Sequence, residues 1–539
     1  MDANKEVKAY VVSDIQNPFC PVPRTKLFLH VEDQKDLINV LIERINVFIT
    51  ERQSKINSAK KNIPGSVTGA AIVAGANALE ENGGRVMVFT CNTCVSGYGA
   101  CKPREEVKQP TSVNERNLYL PQHTQFNSLT EYFTQKRIVI DQFIFANFQF
   151  DLATFSVLSN LTGGSVIFYP INTKDYSDIK FKFEKVHYDL SRILTRPNYY
   201  DVKFMLRLSM GIETVEILGP FGKKLGEAFQ LAGCDPDYSY YYNLRLSETL
   251  KNNQRCHFQL VCLYIDNFNQ RYLRTINYTV IATNEISKIY ASTDVDALSK
   301  LTIIKEISLS QHLDTYNGKD NIINRIVNSF LYYRQNCSKT TPSAQLILPA
   351  SIKYFPVYMN SFIKKFISRR NKQGIPSNLI IDLINKCTRE PLYNTVKHLY
   401  PKFYRVDDLQ GDQSSKFTGL DNDYIIKDVG CQNEKYDVII KPFLLHNSLD
   451  NVDFDCAYLS DDGDFITLFV FNHIEPIFYQ ELFGVDSWEE AVNPNTDTLD
   501  ESNSNDLNVR ILNVVNQLRK DNKGAIQPLR VLFLEYYFI

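Results

Sequence analysis

The chain has 539 residues, 44% of them hydrophobic and 22% charged, and its 59 Lys and Arg against 61 Asp and Glu give a formal net charge of -2. Such a composition excludes a disordered tail, a collagen or a coiled coil and, at roughly 150 residues per domain, suggests three or four domains. The balanced charge lacks the basic excess of a nucleic-acid binder; no apolar run is long enough to span a membrane, and Met1-Asp2-Ala3-Asn4-Lys5-Glu6 carries no apolar signal core.

Residues 1–172 alternate helix and strand. Lys8 to Ile15 reads as a short strand. Gln34 to Arg52 reads as a helix, with Ile38, Leu41, Ile42, Ile45, Phe48 and Ile49 on one face. Thr68 to Glu80, rich in Ala and Gly, suits a helix packed closely on a sheet. Arg85 to Thr90, Ile138 to Phe145 and Ser165 to Tyr169 are near-continuous apolar runs suited to buried parallel strands. Helices at Leu129 to Gln135 and Leu152 to Leu161 separate them, giving an α/β trunk.

From 173 to 290 the pattern becomes a connecting helix, Phe181 to Leu194, followed by strands. These are Tyr200 to Leu208, Glu213 to Leu218, Ser239 to Leu246, Cys256 to Ile265 and Arg271 to Ala282. Turns at Gly211, Gly219-Pro220 and Asn267-Phe268-Asn269 make this an antiparallel β-sandwich. Residues 291–399 read as all-α, with the best segments at Ile322 to Tyr333, Ser343 to Phe366 and Leu379 to Cys387. Pro349 and Pro356 should break or kink the second of these. Residues 400–539 return to α/β. Asp453 to Leu459, the turn Asp461-Asp462-Gly463-Asp464 and Phe465 to Phe471 form a hairpin, with an amphipathic helix at Leu507 to Leu518 and a final strand from Leu529. The acidic, Asn- and Ser-rich segment 485–506 reads as a loop or disordered insertion.

Chemistry-bearing motifs are few. Cys91-x-x-Cys94 with Cys101 gives partial zinc spacing without a fourth ligand, and the 11 cysteines read as reduced thiols of a cytosolic protein. No P-loop, nucleophile elbow or paired histidine motif occurs, so neither a catalytic residue nor a metal ligand is assigned. Arg207, in the apolar run Phe204-Met205-Leu206-Arg207-Leu208, is a candidate for pairing with a peptide carboxylate. Lys364, Lys365, Arg369, Arg370 and Lys372 form a basic run that suits either a solvated helix end or an anionic membrane surface.

Several strings carry a resemblance. Tyr332-Tyr333-Arg334-Gln335-Asn336-Cys337, Gln345-Leu346-Ile347-Leu348-Pro349 and Lys353-Tyr354-Phe355-Pro356-Val357-Tyr358-Met359-Asn360 resemble the helical domain of the Sec23/Sec24-type family, in its cargo-adaptor member of the inner COPII coat. Val11 to Pro23, Gly83-Gly84-Arg85-Val86 and Leu161-Thr162-Gly163-Gly164-Ser165-Val166 resemble its trunk, and Asp462-Gly463-Asp464 its gelsolin-like module. The resemblance implies a von Willebrand A-like α/β trunk (1–172), a β-sandwich (173–290), a helical domain (291–399) and a gelsolin-like α/β module (400–539). It further implies that a four-cysteine zinc ribbon and the first trunk strands would precede Met1, with zinc expected only there, and that the chain ends before the family's last helix.

The function implied is non-enzymatic. Such an adaptor is cytoplasmic and peripheral on the endoplasmic reticulum membrane and its COPII vesicles. It pairs through the trunk with the GTPase-activating coat subunit, is recruited by a Sar-family GTPase, meets the outer coat cage and binds cytosolic tails of cargo and fusion proteins, with no nucleic acid involved. The family's cargo-contacting strand often carries two arginines one residue apart. Arg207 matches the second and Met205 stands in place of the first. The alternatives are a gelsolin-like actin or calcium-binding protein, with Asp461, Asp462 and Asp464 as the hint, and a coat paralogue without cargo function.

Overall fold

The structure is a computed structural model. It describes residues 8–534 apart from 9, 24–25, 59–64, 105–112, 147–149, 172–175, 220–221, 313–316, 339–341, 343–344, 346, 369–375, 408, 410–415, 419–422, 426–427, 434–437, 493–498, 500–504 and 523–525.

The apolar runs of the first region become a parallel sheet of β1 (Gly84–Thr90), β2 (Ile138–Ala146) and β3 (Val166–Pro170), in the order β1-β2-β3. Helices α1 (Lys35–Ser58), α2 (Thr68–Leu79), α3 (Val113–Leu118), α4 (Gln125–Gln135) and α5 (Leu152–Thr162) belong to this region. Central β2 is buried along almost its whole length, as a parallel strand covered on both faces should be. Asp151 caps α5 by accepting from the Thr154 N–H at 3.1 Å, and Gly163 ends the helix in the left-handed conformation at φ 83°. One expectation fails here. Lys8 and Tyr10 to Ile15 form no strand; Tyr10 and Val11 lie exposed, and the Ile15 carbonyl instead accepts from the Tyr98 N–H. Helix α1 forms, but among the described residues nothing buries its apolar stripe: Ile42, Ile45, Phe48 and Ile49 are about half exposed.

Helix α6 (Tyr176–Thr195) leads into the sandwich. Its strands are β4 (Tyr199–Leu208), β5 (Ile212–Leu218), β6 (Lys223–Leu225), β7 (Ala228–Cys234), β8 (Tyr241–Leu246), β9 (Arg255–Ile265) and β10 (Arg271–Ile281). One antiparallel sheet runs β10-β9-β4-β7-β6, and β5 pairs with β8 in the other. Between them pack Val202, Phe204, Phe229, Leu231, Tyr240 and Tyr242. Strands β6 and β7 were not legible as strands. Ala-Phe-Gln-Leu-Ala-Gly-Cys has no polar alternation, because Phe229, Leu231 and Ala232 are all buried and Gly233 lies against the trunk.

The helical region holds α7 (Ile286–Ala291), α8 (Val295–His312), α9 (Gly318–Cys337), α10 (Phe355–Phe362), α11 (Ser377–Arg389) and α12 (Leu392–Leu399). The expected helix over Ser343 to Phe366 is shorter than that. A 3-10 turn at Ala350–Ile352 follows Pro349, and α10 begins at Phe355 with Pro356 in its first turn, where the missing N–H costs nothing. It runs into a π-helical turn at Ile363–Ile367. Phe355, Met359, Phe362 and Phe366 join Ile140, Phe155 and Ile303 in one core shared by trunk and helical region.

The last region contains β11 (Lys402–Arg405), two short ribbons (β12 Lys416–Thr418 with β13 Asp423–Ile425; β14 Gln432–Asn433 with β15 Val438–Ile439), β16 (Leu444–Leu445), β17 (Ala457–Asp461), β18 (Ile466–Phe471) and β19 (Leu529–Leu534). Its main sheet runs β16-β11-β17-β18-β19, and only β18 and β19 are parallel. Helices α13 (Pro476–Phe483), α14 (Trp488–Ala491) and α15 (Asp506–Asp521) complete it. Of the 485–506 segment, 493–498 and 500–504 lie outside the described residues; in the rest, Ser487 caps α14 by accepting from the Glu490 N–H, and Leu499 belongs to the same core as Leu482 and Leu507.

Buried charges tie the regions together. Arg85 on β1 grips Asp141 on β2 of the same sheet through two bonds of 2.7 and 2.8 Å, and reaches out of the trunk to Asn198 Oδ1 at 2.6 Å and Asp235 at 3.9 Å. Arg196 after α6 meets Asp235 at 2.6 Å and Asp237 at 2.9 Å, and Arg192 shares Asp237. Burial alone would raise the Asp141 pKa, but the Arg85 guanidinium outweighs it and holds the carboxyl below its usual range. Such pairs add little net stability compared with apolar packing, yet breaking one side is costly.

Candidate functional site

The alternation of β4 decides where Arg207 points. Val202 and Phe204 face the sandwich core, so Lys203, Met205 and Arg207 face outward. Register then assembles three rows across β4, β9 and β10: Arg207, Gln259 and Asn277; Met205, Val261 and Thr275; Lys203, Leu263 and Leu273. The Gln259 amide donates to Asn277 Oδ1 at 2.9 Å, which fixes that row on one face. The result is a shallow apolar strip of Met205, Val261, Leu263 and Leu273, the last 68% exposed, with the exposed Arg207 guanidinium at one end. At the other end Asp201, at φ 46° beside a β-bulge, sits 3.7 Å from Lys203 and 3.9 Å from Arg271. Among the described residues Arg207 makes no ion pair. Such a face can lay an extended peptide along its apolar strip and take a carboxylate at Arg207.

The basic run divides. Lys364 is exposed on the π-helical turn, whereas Lys365 turns inward and its ammonium donates to the His398 carbonyl. That half-buried contact removes Lys365 from a surface patch. Arg369, Arg370 and Lys372 lie outside the described residues.

Among the described residues Cys91, Cys94 and Cys101 do not come together as a metal-ligand group. Cys91 is exposed, while the buried Cys94 and Cys101 thiols face the Ser96 and Gly99 carbonyls at 3.4 and 3.5 Å. Burial pushes the Cys101 thiol up to about 12. Among the described residues, Asp453, Asp455 and Cys456 are the group close enough to share an ion, but Asp453 leans toward Arg405 at 3.4 Å and the thiol bonds Asp455 at 3.2 Å. The Asp461–Asp464 carboxylates, read above as a hint of calcium, are otherwise engaged. Asp462 closes its own turn by accepting from the Asp464 and Phe465 N–H groups at 2.9 and 2.8 Å. Asp461 takes Lys397 at 2.6 Å, and Asp464 takes Lys386 at 2.7 Å.

Comparison with known proteins gives the wider frame. The Sec23/Sec24 trunk domain family matches residues 2–187, the Sec23/Sec24 beta-sandwich domain family 199–283 and the Sec23/Sec24 helical domain family 294–397. The chain belongs to the Sec23/Sec24 family. Within it, Protein transport protein Sec24A of Homo sapiens is 24% identical over 493 residues, covering 90% of this chain and 42% of its own length. Protein transport protein SEC24 C of Arabidopsis thaliana is 25% identical over 539 residues, covering 98% of this chain and 45% of its own length. The chain thus spans less than half the length of these relatives. In three dimensions it is similar to the crystal structure of the human COPII-coat protein Sec24c, with a TM-score of 0.79 at 21% identity over 95% of this chain and 63% of that one. The fold is therefore that of Sec23/Sec24 proteins: trunk, β-sandwich and helical domains in a mixed α/β chain.

What the sequence missed at this site is its extent. Arg207 stood out as a charge in an apolar run, but its neighbours come from β9 and β10, more than 50 residues away. The matching outward alternation of Gln259, Val261 and Leu263 was the available signal, and it has meaning only once register is known.

Proposed function

We propose that the chain is a non-enzymatic, Sec24-like subunit of the COPII coat, and that the outer face of β4, β9 and β10 binds acidic export signals in cytosolic tails. The observation that carries the reading is an exposed arginine, without an ion pair among the described residues, at the end of a partly exposed apolar strip, in a chain whose relatives are Sec24 transport proteins. The departure at Met205, which stands where the family often has the first of two arginines, points to a site that reads one carboxylate together with apolar side chains. A short peptide on so small a face binds weakly, and retention follows from many copies assembled on one membrane.

The partners follow from the same reading: the GTPase-activating coat subunit along the trunk, a Sar-family GTPase, the outer cage, and peripheral contact with the endoplasmic reticulum membrane. Lys364, together with Arg369, Arg370 and Lys372, supplies the basic contribution to that contact. A gelsolin-like calcium role is less well supported, because lysines occupy the Asp461 and Asp464 carboxylates.

Binding of a fluorescent acidic tail peptide tests the site. Loss of a charge-assisted hydrogen bond costs about 1.5–3 kcal/mol, so Arg207→Ala should weaken binding about tenfold to a hundredfold. Arg207→Lys should restore part of the loss, and higher salt should narrow the gap. Equal affinity in the wild type and Arg207→Ala contradicts the assignment.

A further inference from the structure

We propose that His398 is a proton-controlled pin that fastens the C-terminal α/β module to the helical region and trunk. The proposal is independent of the peptide site and rests on the junction where three regions meet. Helix α12 ends at Leu399 and β11 begins at Lys402, so two residues of chain link helical region and module. The module's β17–β18 turn reaches back across that link. Asp461 meets Lys397 of α12 at 2.6 Å, and Asp464 meets Lys386 of α11 at 2.7 Å and Lys185 of α6 at 3.4 Å. Gly463 lies against the imidazole: a Cβ there would stand 2.9 Å from the His398 ring, at a φ of 93° that already favours glycine.

His398 is buried, and its Nε2 lies 2.8 Å from Glu390 Oε2. The charged groups facing it are the Glu390 and Asp464 carboxylates and the Lys386 ammonium, while the Lys365 ammonium donates to the His398 carbonyl. Around them Lys185 also holds Asp189 at 3.3 Å, and Lys386 also holds Asp382 at 3.1 Å. The Arg389 guanidinium is 5.7 Å from the Tyr238 ring, on the sandwich side. From α8 the buried Lys300 ammonium also reaches this end of α11, donating to the Glu390 carbonyl at 3.0 Å and to Thr395 Oγ1 at 2.6 Å, and burial lowers it to about 8. An imidazolium here pairs with the Glu390 carboxylate and attracts Asp464 of the turn; a neutral ring gives up that attraction.

Burial opposes the charge on His398, but the neighbouring carboxylates outweigh it, so the ring titrates above its ordinary 6.5. For a group raised in this way, the stabilisation is complete below the unfolded value and is lost as pH rises through the folded value. Docking of the module is thus firm at mildly acid pH and loosens on the alkaline side.

The test uses the full chain between about pH 6 and pH 9, with hydrogen exchange corrected for its intrinsic pH dependence. In the wild type, protection of Ala457–Phe471 at the junction should fall several-fold as the pH rises. Glu390→Gln should move that midpoint down, and His398→Gln should flatten the profile. A second readout does not depend on the variant at 398 folding. With ring-labelled histidine, one of the 8 imidazoles should titrate above 6.5 and shift downward in Glu390→Gln. A flat wild-type exchange profile, a His398→Gln profile equal to wild type, or no imidazole that shifts in Glu390→Gln would overturn the proposal.

Discussion

At the scale of single residues, the most instructive pair is Gly163-Gly164. They end α5, donating to the Ser159 carbonyl at 3.1 and 2.9 Å, and they let two backbones approach. A Cβ at 163 would lie 1.8 Å from the Gly233 carbonyl oxygen on β7, and one at 164 would lie 1.9 Å from that of Ile140 on β2. Backbone cannot yield as the tip of a side chain can, so Gly164→Ala should destabilise the chain by about 2–4 kcal/mol through overpacking. A denaturant melt reads this as a lower midpoint at unchanged slope; an unaltered midpoint contradicts the close approach. Arg207 is the opposite case. It is exposed, so its loss should leave stability within about 0.5 kcal/mol while weakening the peptide. The Leu-Thr-Gly-Gly-Ser-Val string was legible as a trunk feature, but its reason, a trunk-to-sandwich contact, depends on β7, a strand with no periodic signal.

Among the elements, the β17–β18 hairpin shows how one turn can serve two ends. Its local chemistry, Asp462 accepting from two backbone N–H groups and Gly463 at positive φ, was readable from Asp-Asp-Gly-Asp. Its long-range partners were not, because Lys185, Lys386 and Lys397 come from elements far apart in sequence. The Asp464 and Glu390 carboxyls face burial that would raise them, and the surrounding cations hold both below their usual 3.8 and 4.5. For depressed groups the stabilisation is present above the unfolded values and lost as pH falls through the folded ones. The melting temperature should therefore drop as pH falls below about 4, and Asp464→Asn should both lower it at neutral pH and make the acid drop shallower. An acid slope unchanged in Asp464→Asn would contradict this. The helices follow the same division. Apolar periodicity predicted α1, but its half-exposed face shows that periodicity announces a need for cover without saying what supplies it. Pro356 was read as a break, and the structure makes it a beginning.

For the whole molecule, strand length, buried apolar runs and helical spacing were enough to read trunk, sandwich and helical region in order, because those patterns are local, even though trunk and helical region share one core. The assembly of those parts was not legible. It depends on buried pairs such as Arg85 and Arg196 with Asp235, whose members are far apart in sequence and look like ordinary surface charges in one dimension. The same holds for the outer face that carries Arg207, which exists only when β4, β9 and β10 are aligned. The central claim is that this assembled face and trunk belong to a coat subunit. The most direct measurement is to tag the gene product in its own cells, purify it under mild conditions and quantify what accompanies it. The account predicts stoichiometric recovery of the GTPase-activating coat subunit, with recovery unchanged in Arg207→Ala while acidic cargo tails are lost. Purification without any coat subunit, or with actin in its place, would contradict it.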